Sequence, residues 1–350
     1  MNKFLLLTAT ILISLFPSFC DAAGNPWTQT LYFENDLFTG TDSNYTNGIK
    51  YTLISPDLSP HAPDGKLPRR AMEFIHSLPF IGQSEPGFTH KVEFSIGQNM
   101  YTPEDIARTD LISNDRPYAG WFYIATAYHR KSSDIDPSSH MDTLELQLGI
   151  VGPESFAEEA QKLVHKLRDL RRPNGWDNQL KTEPGLALIY ERKWLYHPVK
   201  SRKFGYDLIA HAGGALGNVY TYLNSGAEFR TGWNIPHNFG ASIIRPAGST
   251  RLSIDPDLSI YVFAGVNGKI VMHDIFLDGN TFTDSHSMDK NYFLADVAGG
   301  ISISYRHLTL SMTQVMRTRE FKRQKNTEHS FGSITLAYSF PFDLSGVFTN

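Results

Sequence analysis

The sequence predicts an all-β fold: a twelve-stranded antiparallel transmembrane β-barrel with one amphipathic helix in an extracellular loop. Three observations carry the prediction. Segments of about ten residues, the length of a tilted membrane-crossing strand, recur along the chain with apolar and polar side chains alternating at period two. Aromatic residues are plentiful, with 23 Phe, 16 Tyr and 5 Trp, and many fall near segment ends, where a barrel places its interfacial girdles. After the N-terminal region no apolar run approaches the ~20 residues of a membrane helix, so a membrane protein of this sequence crosses with strands.

The N-terminus predicts export. Lys3 precedes FLLLTATILISLF, and CDAAG then supplies small residues at cleavage spacing, so residues 1–23 read as a secretory signal peptide and 24–350 as a single barrel domain. Lipidation at Cys20 is the less suitable reading because Pro17 and Phe19 fit a lipobox poorly. Cys20 is the only cysteine, which leaves the exported part without disulfides. The net charge of −4, with no long basic run, speaks against nucleic acid as a partner.

The strands follow in order. The first covers 27–35. NGIKYTLI sets Ile49, Tyr51 and Leu53 against Gly48, Lys50 and Thr52. KVEFSIGQ sets Val92, Phe94 and Ile96 against Glu93, Ser95 and Gly97, and MDTLELQLGIV sets four apolar residues from Leu144 to Ile150 against Glu145, Gln147 and Gly149. Similar segments cover 118–130, 184–195, 204–215, 222–233, 258–276, 293–306, 308–318 and 331–340. Asn267-Gly268 resembles a hairpin turn, but taking it would give thirteen strands where single-chain bacterial barrels have an even number. The reading adopted is one long strand with a kink or bulge at Gly268. Trp27, Tyr101, Trp121, Tyr128, Trp194, Tyr196 and Trp233 are the expected girdle aromatics.

With a periplasmic N-terminus, the connections 36–45, 101–117, 152–183, 216–221, 277–292 and 319–330 lie at the outer end. The third contains a helix over about 153–172, opened by Pro153 and acidic residues and closed by Arg168, Arg171 and Arg172, in keeping with the helix dipole. Phe156, Ala160, Leu163, Val164, Leu167 and Leu170 form its apolar stripe, expected to pack the helix down. A second helix over 69–78 is expected in an inner connection.

Chemistry concentrates on the outer connections. Gln161 and His165, four residues apart, share a helix face, and a histidine there suits general-base work near neutral pH; an ordinary, partly exposed helix histidine is the plain alternative. Asn35, Asp36 and Thr46 gather at the outer ends of strands 1 and 2, hard oxygen donors of the kind Ca²⁺ takes, or else a solvated turn. Alternation places Thr46 on the interior face with Gly48, Lys50 and Thr52. Arg108 and Arg116 lie in the second outer loop; arginine suits phosphate, while surface charge, or an ion pair of Arg116 with Asp115, is the plain reading. His211 reads as an interior packing residue, and the His of RHLTLS falls at an inner turn. No Gly-x-Ser-x-Gly elbow, phosphate loop or HExxH is present.

FENDLFTGTDSNYTNGIKY, IGQNMYTPEDIARTD, NDRPYAGW, GIVGPESFAEEAQKLVHK and FAGV together resemble the lipid A 3'-O-deacylase (LpxR-type) family of Gram-negative outer-membrane barrels, over nearly the whole mature chain. The resemblance implies a site between the barrel wall and the loop helix, facing the cell exterior, and lipid A or lipopolysaccharide as substrate among the outer-membrane lipids. It implies catalytic roles for His165, Asn35, Asp36, Thr46 and Gln161, and a Ca²⁺ cofactor with Asp36 as its first ligand. A family lysine that meets the lipid A phosphate falls where this chain has Arg108, which keeps the charge and changes the geometry. A further departure is PFDLSGVFTN, which follows the closing aromatic Phe340. Two other readings stay open on residues alone: a passive channel lined by Lys50, Glu93, Glu145 and Glu191, and an outer-membrane phospholipase with a serine beside His165.

Overall fold

In the computed structural model, residues 26–36, 44–58, 73, 77, 87–132, 138–197, 203–240, 258–326 and 328–340 are described. The expected signal peptide, residues 37–43 of the first outer loop and the chain beyond Phe340 lie outside them. Of the expected 69–78 helix only Glu73 and Ser77 are described, both helical.

Twelve strands close into one barrel: β1 (Trp27–Asn35), β2 (Asn44–Ile54), β3 (Phe88–Thr102), β4 (Ala119–Ser132), β5 (Ser138–Val151), β6 (Glu183–Tyr196), β7 (Phe204–Gly217), β8 (Tyr220–Trp233), β9 (Ser259–Asp274), β10 (Phe293–Tyr305), β11 (Leu308–Thr318) and β12 (Glu328–Phe340). Each pairs antiparallel with its chain neighbour, and β12 closes on β1 with Trp27 opposite Phe340. Closure leaves no sheet edge, so every strand can satisfy its backbone polar groups inside a bilayer.

β9 runs unbroken as one strand, but the kink expected at Gly268 is absent. Gly268 pairs in register with Ser225 on one side and Ala295 on the other. The irregularity falls nearer the outer end, where Thr221 faces His273 and Tyr222 faces Val271, giving Met272 as the extra residue.

The two faces separate cleanly. Phe94, Ile96, Ile124, Leu148, Leu223 and Val262 are exposed on the outside, the lipid-facing belt of a membrane barrel. Inside, Lys50 Nζ lies 3.3 Å from Glu93 and 3.9 Å from Glu145, and Glu93 also meets His129 Nε2 at 3.1 Å. Lys193 pairs with Glu191 at 3.5 Å, and His211 Nε2 lies 2.9 Å from the Asn267 side-chain oxygen. Lys50, Glu93, Glu145 and Glu191 are all buried, so the charges expected to line a pore pack against partners instead. Unlike charges in a low-dielectric interior hold one another because neither can reach water.

The outer mouth is filled by aromatics. A short helix, α2, which follows the third-outer-loop helix α1 (Ala157–Arg168) in the chain, spans Ile275–Asp278 and buries Ile275, Phe276 and Leu277. The Asp274 carboxylate caps α2 by accepting from the Phe276 N–H at 3.0 Å. Phe276 stacks on Tyr101 with ring centroids 4.0 Å apart, within a cluster that includes Tyr45, Trp121, Tyr123 and Phe331. This corrects the expected girdle. Trp194, Tyr196 and Trp233 are exposed at the inner strand ends, but Trp27, Tyr101, Trp121 and Tyr128 are buried, because their strand parity or overlying chain turns them away from lipid.

Candidate active site

The wall releases the chain at Val151. Gly152 takes φ +99°, a conformation glycine adopts without a Cβ penalty, and Pro153–Ser155 form a single 3-10 turn. Phe156, at φ 58°, sits in the left-handed region and separates that turn from α1. The expected 153–172 helix is therefore shorter: it begins after Phe156 and ends at Asp169, where the Asp169 N–H donates to the His165 carbonyl.

α1 doubles back onto the outside of the barrel. Gln98 Nε2 donates to the Ser155 carbonyl at 2.6 Å, and Met100 is buried with Ile106, Tyr118, Ala157 and Trp176. Gln98 and Met100 share strand parity with the exposed Phe94 and Ile96, while Tyr101 turns into the mouth. Gly120 lies under this seat, and a methyl there would overlap the Ser155 hydroxyl and the Ala157 methyl. The helix is thus mounted on the membrane-facing side of β3 and β4.

Its buried face is not the expected one. Ala157, Gln161 and His165 are buried, whereas Phe156, Leu163 and Leu167 of the apolar stripe are 61, 57 and 52 % exposed. Gln161 and His165 do share a face, and it is the one pressed toward the wall.

Two hydrogen bonds define what these side chains offer. Trp176 Nε1 donates to Gln161 Oε1 at 2.7 Å. An indole N–H can only donate, so the amide orientation is set by its partner. The Gln161 Nε2 group is left buried with no hydrogen-bond partner among the described residues. His165 Nδ1 lies 2.5 Å from the Arg171 carbonyl. A carbonyl can only accept, so Nδ1 carries the proton and the ring's lone pair is on Nε2.

Asn35 ends β1 opposite Asn47 of β2, and both Asn35 and the following Asp36 are buried. Thr46 corrects the expected alternation. The β2–β3 register slips between Tyr45 and Asn47, making Thr46 the extra residue of a bulge, which re-aims a side chain locally. Tyr45 points into the mouth, where its hydroxyl donates to Glu34 at 2.9 Å. The Thr46 hydroxyl instead meets that of Thr102 at 2.6 Å, and Thr102 is two residues beyond Met100 on the face that carries α1.

Arg108 sits in the second outer loop, half-exposed, its guanidinium forked onto Asp110. That hydrogen bond holds the Asp110 carboxyl below the usual carboxylate range. The loop abuts the stretch after α1: Asn174 N–H donates to Ile106 O at 2.8 Å, and Arg171 meets Asp105 at 3.3 Å. Arg116 is buried and pairs with Glu320 at 3.2 Å rather than with Asp115. Burial alone would raise the Glu320 carboxyl, but Arg116 and Arg317 outweigh it and hold it low. Ser155, beside the start of α1, donates its hydroxyl to the Gly152 carbonyl at 2.6 Å and so serves the turn.

Sequence reasoning missed Trp176, Thr102 and Asn47. Trp176, in the polar PNGWDNQ stretch after the helix, carried a signal, since a large indole there implies something to pack on and a partner for its N–H. Thr102 and Asn47 carried none, because both depend on strand register.

The donor set at the outer ends of β1 and β2 suits Ca²⁺ in kind. Asp36 supplies a carboxylate, Asn35 and Asn47 amide oxygens, and Thr46 and Thr102 hydroxyls; Ca²⁺ takes such oxygens together with carbonyls and water. Among the described residues no three His, Asp or Glu side chains gather as a metal cluster, so this set would bind through one carboxylate and neutral oxygens.

The family model described as outer membrane protein LpxR matches residues 5–340. Among solved structures, LpxR from Salmonella typhimurium superposes with a TM-score of 0.71 at 17 % identity, covering 89 % of this chain and 100 % of that one. The β domain of the Bordetella autotransporter BrkA gives a TM-score of 0.45 at 9 % identity over 91 % of this chain and 100 % of its own. No curated protein sequence matches.

Proposed function

The chain belongs to the LpxR family of outer membrane proteins, and from that membership we propose that it hydrolyses the 3'-position acyloxyacyl ester of lipid A in the outer leaflet. The observation that carries the reading is the buried face of α1. A histidine with its lone pair on Nε2 and a glutamine with an unpartnered N–H donor stand side by side against the membrane-facing wall, where a lipid ester arrives without leaving the membrane.

In this reading His165 Nε2 takes a proton from water as the water oxygen attacks the ester carbonyl carbon. Gln161 Nε2 donates to the carbonyl oxygen as it gains negative charge, a preorganised donor in a site with little water. The Arg171 carbonyl, accepting from Nδ1, fixes the tautomer and the orientation of the ring. On collapse the C–O bond to the sugar breaks, and the departing sugar oxygen takes back the proton from Nε2. The products are a free sugar hydroxyl and the released acid.

Asp36, with Asn35 and Thr46, would hold Ca²⁺. A bound Ca²⁺ would supply Lewis-acid polarisation of the ester carbonyl. Arg108 would bind a substrate phosphate by exchanging Asp110 for it, a swap its half-exposed position permits. The phospholipase alternative lacks comparable support, since Ser155 commits its hydroxyl to Gly152.

Mass spectrometry of lipid A from cells expressing the wild type, His165→Ala or Asp36→Ala tests the proposal. Wild type should lose the 3' acyloxyacyl mass and both variants should retain it. An unchanged lipid A pattern with folded wild-type barrel in the membrane would refute it.

A further inference from the structure

α1 has three faces rather than two. At ~100° per residue, Ala157, Gln161 and His165 form the buried face, while Leu163 and Leu167 lie roughly 140° away and stay exposed, as does Phe156 just before the helix. The charged residues Glu159, Lys162 and Lys166 occupy the remaining third, also exposed. A helix surrounded by water has no reason to sort its exposed side chains into separate apolar and charged sectors. A helix lying flat at a membrane boundary does, because one exposed sector meets hydrocarbon and the other water and headgroups.

The position of the helix supplies the hydrocarbon. On β4 the outward-facing series runs Ile124, Phe122, Gly120, and α1 is seated on Gly120. The helix is therefore the next layer above the barrel's apolar belt, on the same side of the wall and continuous with it. Exposed Arg168 and Arg172 at and just beyond its end add positive charge at the level of anionic headgroups.

We propose that Phe156, Leu163 and Leu167 insert into the acyl chains of the surrounding outer leaflet, making α1 a membrane-embedded helix. The site formed by its buried face then opens sideways into the leaflet. This inference rests on the outer-membrane location and the helix geometry, not on the hydrolysis reading.

The test places a single environment-sensitive fluorophore on cysteines introduced one at a time into residues 24–350, which contain no other cysteine, with the folded barrel reconstituted in vesicles of phosphatidylcholine and anionic phospholipid. Labels at Leu163→Cys and Leu167→Cys should show blue-shifted emission, quenching by brominated acyl chains and loss of quenching by aqueous iodide. Labels at Lys162→Cys and Lys166→Cys should show the reverse. If a leucine variant fails to fold, Phe156→Cys reads the same face. Equal iodide quenching at the leucine and lysine positions would overturn the proposal, whether or not the protein hydrolyses lipid A.

Discussion

In the proposed hydrolysis, Gln161 and Trp176 are the residues on which the chemistry turns most finely. Trp176→Phe keeps an aromatic ring in the packing and removes only the N–H that orients the Gln161 amide. Losing one such bond is worth about 1 kcal/mol, so kcat should fall about fivefold with KM nearly unchanged, as steady-state kinetics will read. His165→Ala removes the proposed base and should cost about 10²–10⁴ in kcat. The Gln161–His165 pair was legible in the sequence because i, i+4 spacing puts two side chains together on any helix. The Trp176 contact was not, since the loop that carries it back to α1 has no periodicity to read.

The elements around the site divide the same way. Period-two alternation located all twelve strands, because a wall between lipid and a packed interior forces opposite chemistry on alternate residues. The same rule misplaced Thr46, since a bulge inserts one residue without altering the pattern on either side. The helix was found but rotated, because an apolar stripe implies burial only when water is the alternative, and outside a barrel the alternative is lipid. The close seat on Gly120 gives a test at this scale. Gly120→Val should push Ser155 and Ala157 off the wall, abolishing activity while leaving the heat-modifiable electrophoretic shift of a folded barrel intact. A second follows from the Thr46–Thr102 hydroxyl pair: Thr102→Val should weaken activity and raise the calcium concentration needed for it.

For the whole molecule, closure of β1 on β12 and a filled interior make a stiff frame that carries α1 on its outside. The interior charges were legible as residues, but their pairing was not, because Lys50, Glu93 and Glu145 meet only once three strands are in register. Lys50→Met should destabilise the barrel by about 3–5 kcal/mol by leaving buried carboxylates uncompensated, measurable by urea unfolding in detergent. The outer rim has its own pH limit. Glu320 is held low by Arg116 and Arg317 against burial, so it ionises at lower pH in the folded barrel than in the unfolded chain. Its pairing therefore adds stability above the ordinary carboxylate value of about 4 and loses it as pH falls through the lower folded value. Protection against hydrogen exchange in loops 101–117 and 319–330, measured against the intrinsic rate at each pH, should hold from neutral pH down to the ordinary carboxylate value of about 4 and fall below it.

In the proposed reaction an ester of lipid A is cleaved on the membrane-facing wall by the buried face of α1. Its most direct measurement is positional analysis of the acid released when purified barrel is mixed with lipid A vesicles, with calcium, with chelator, and with magnesium restored in place of calcium. Wild type should release acid from the 3' position with calcium only, and His165→Ala should release none. Release from another position, or undiminished release by folded His165→Ala, would contradict it.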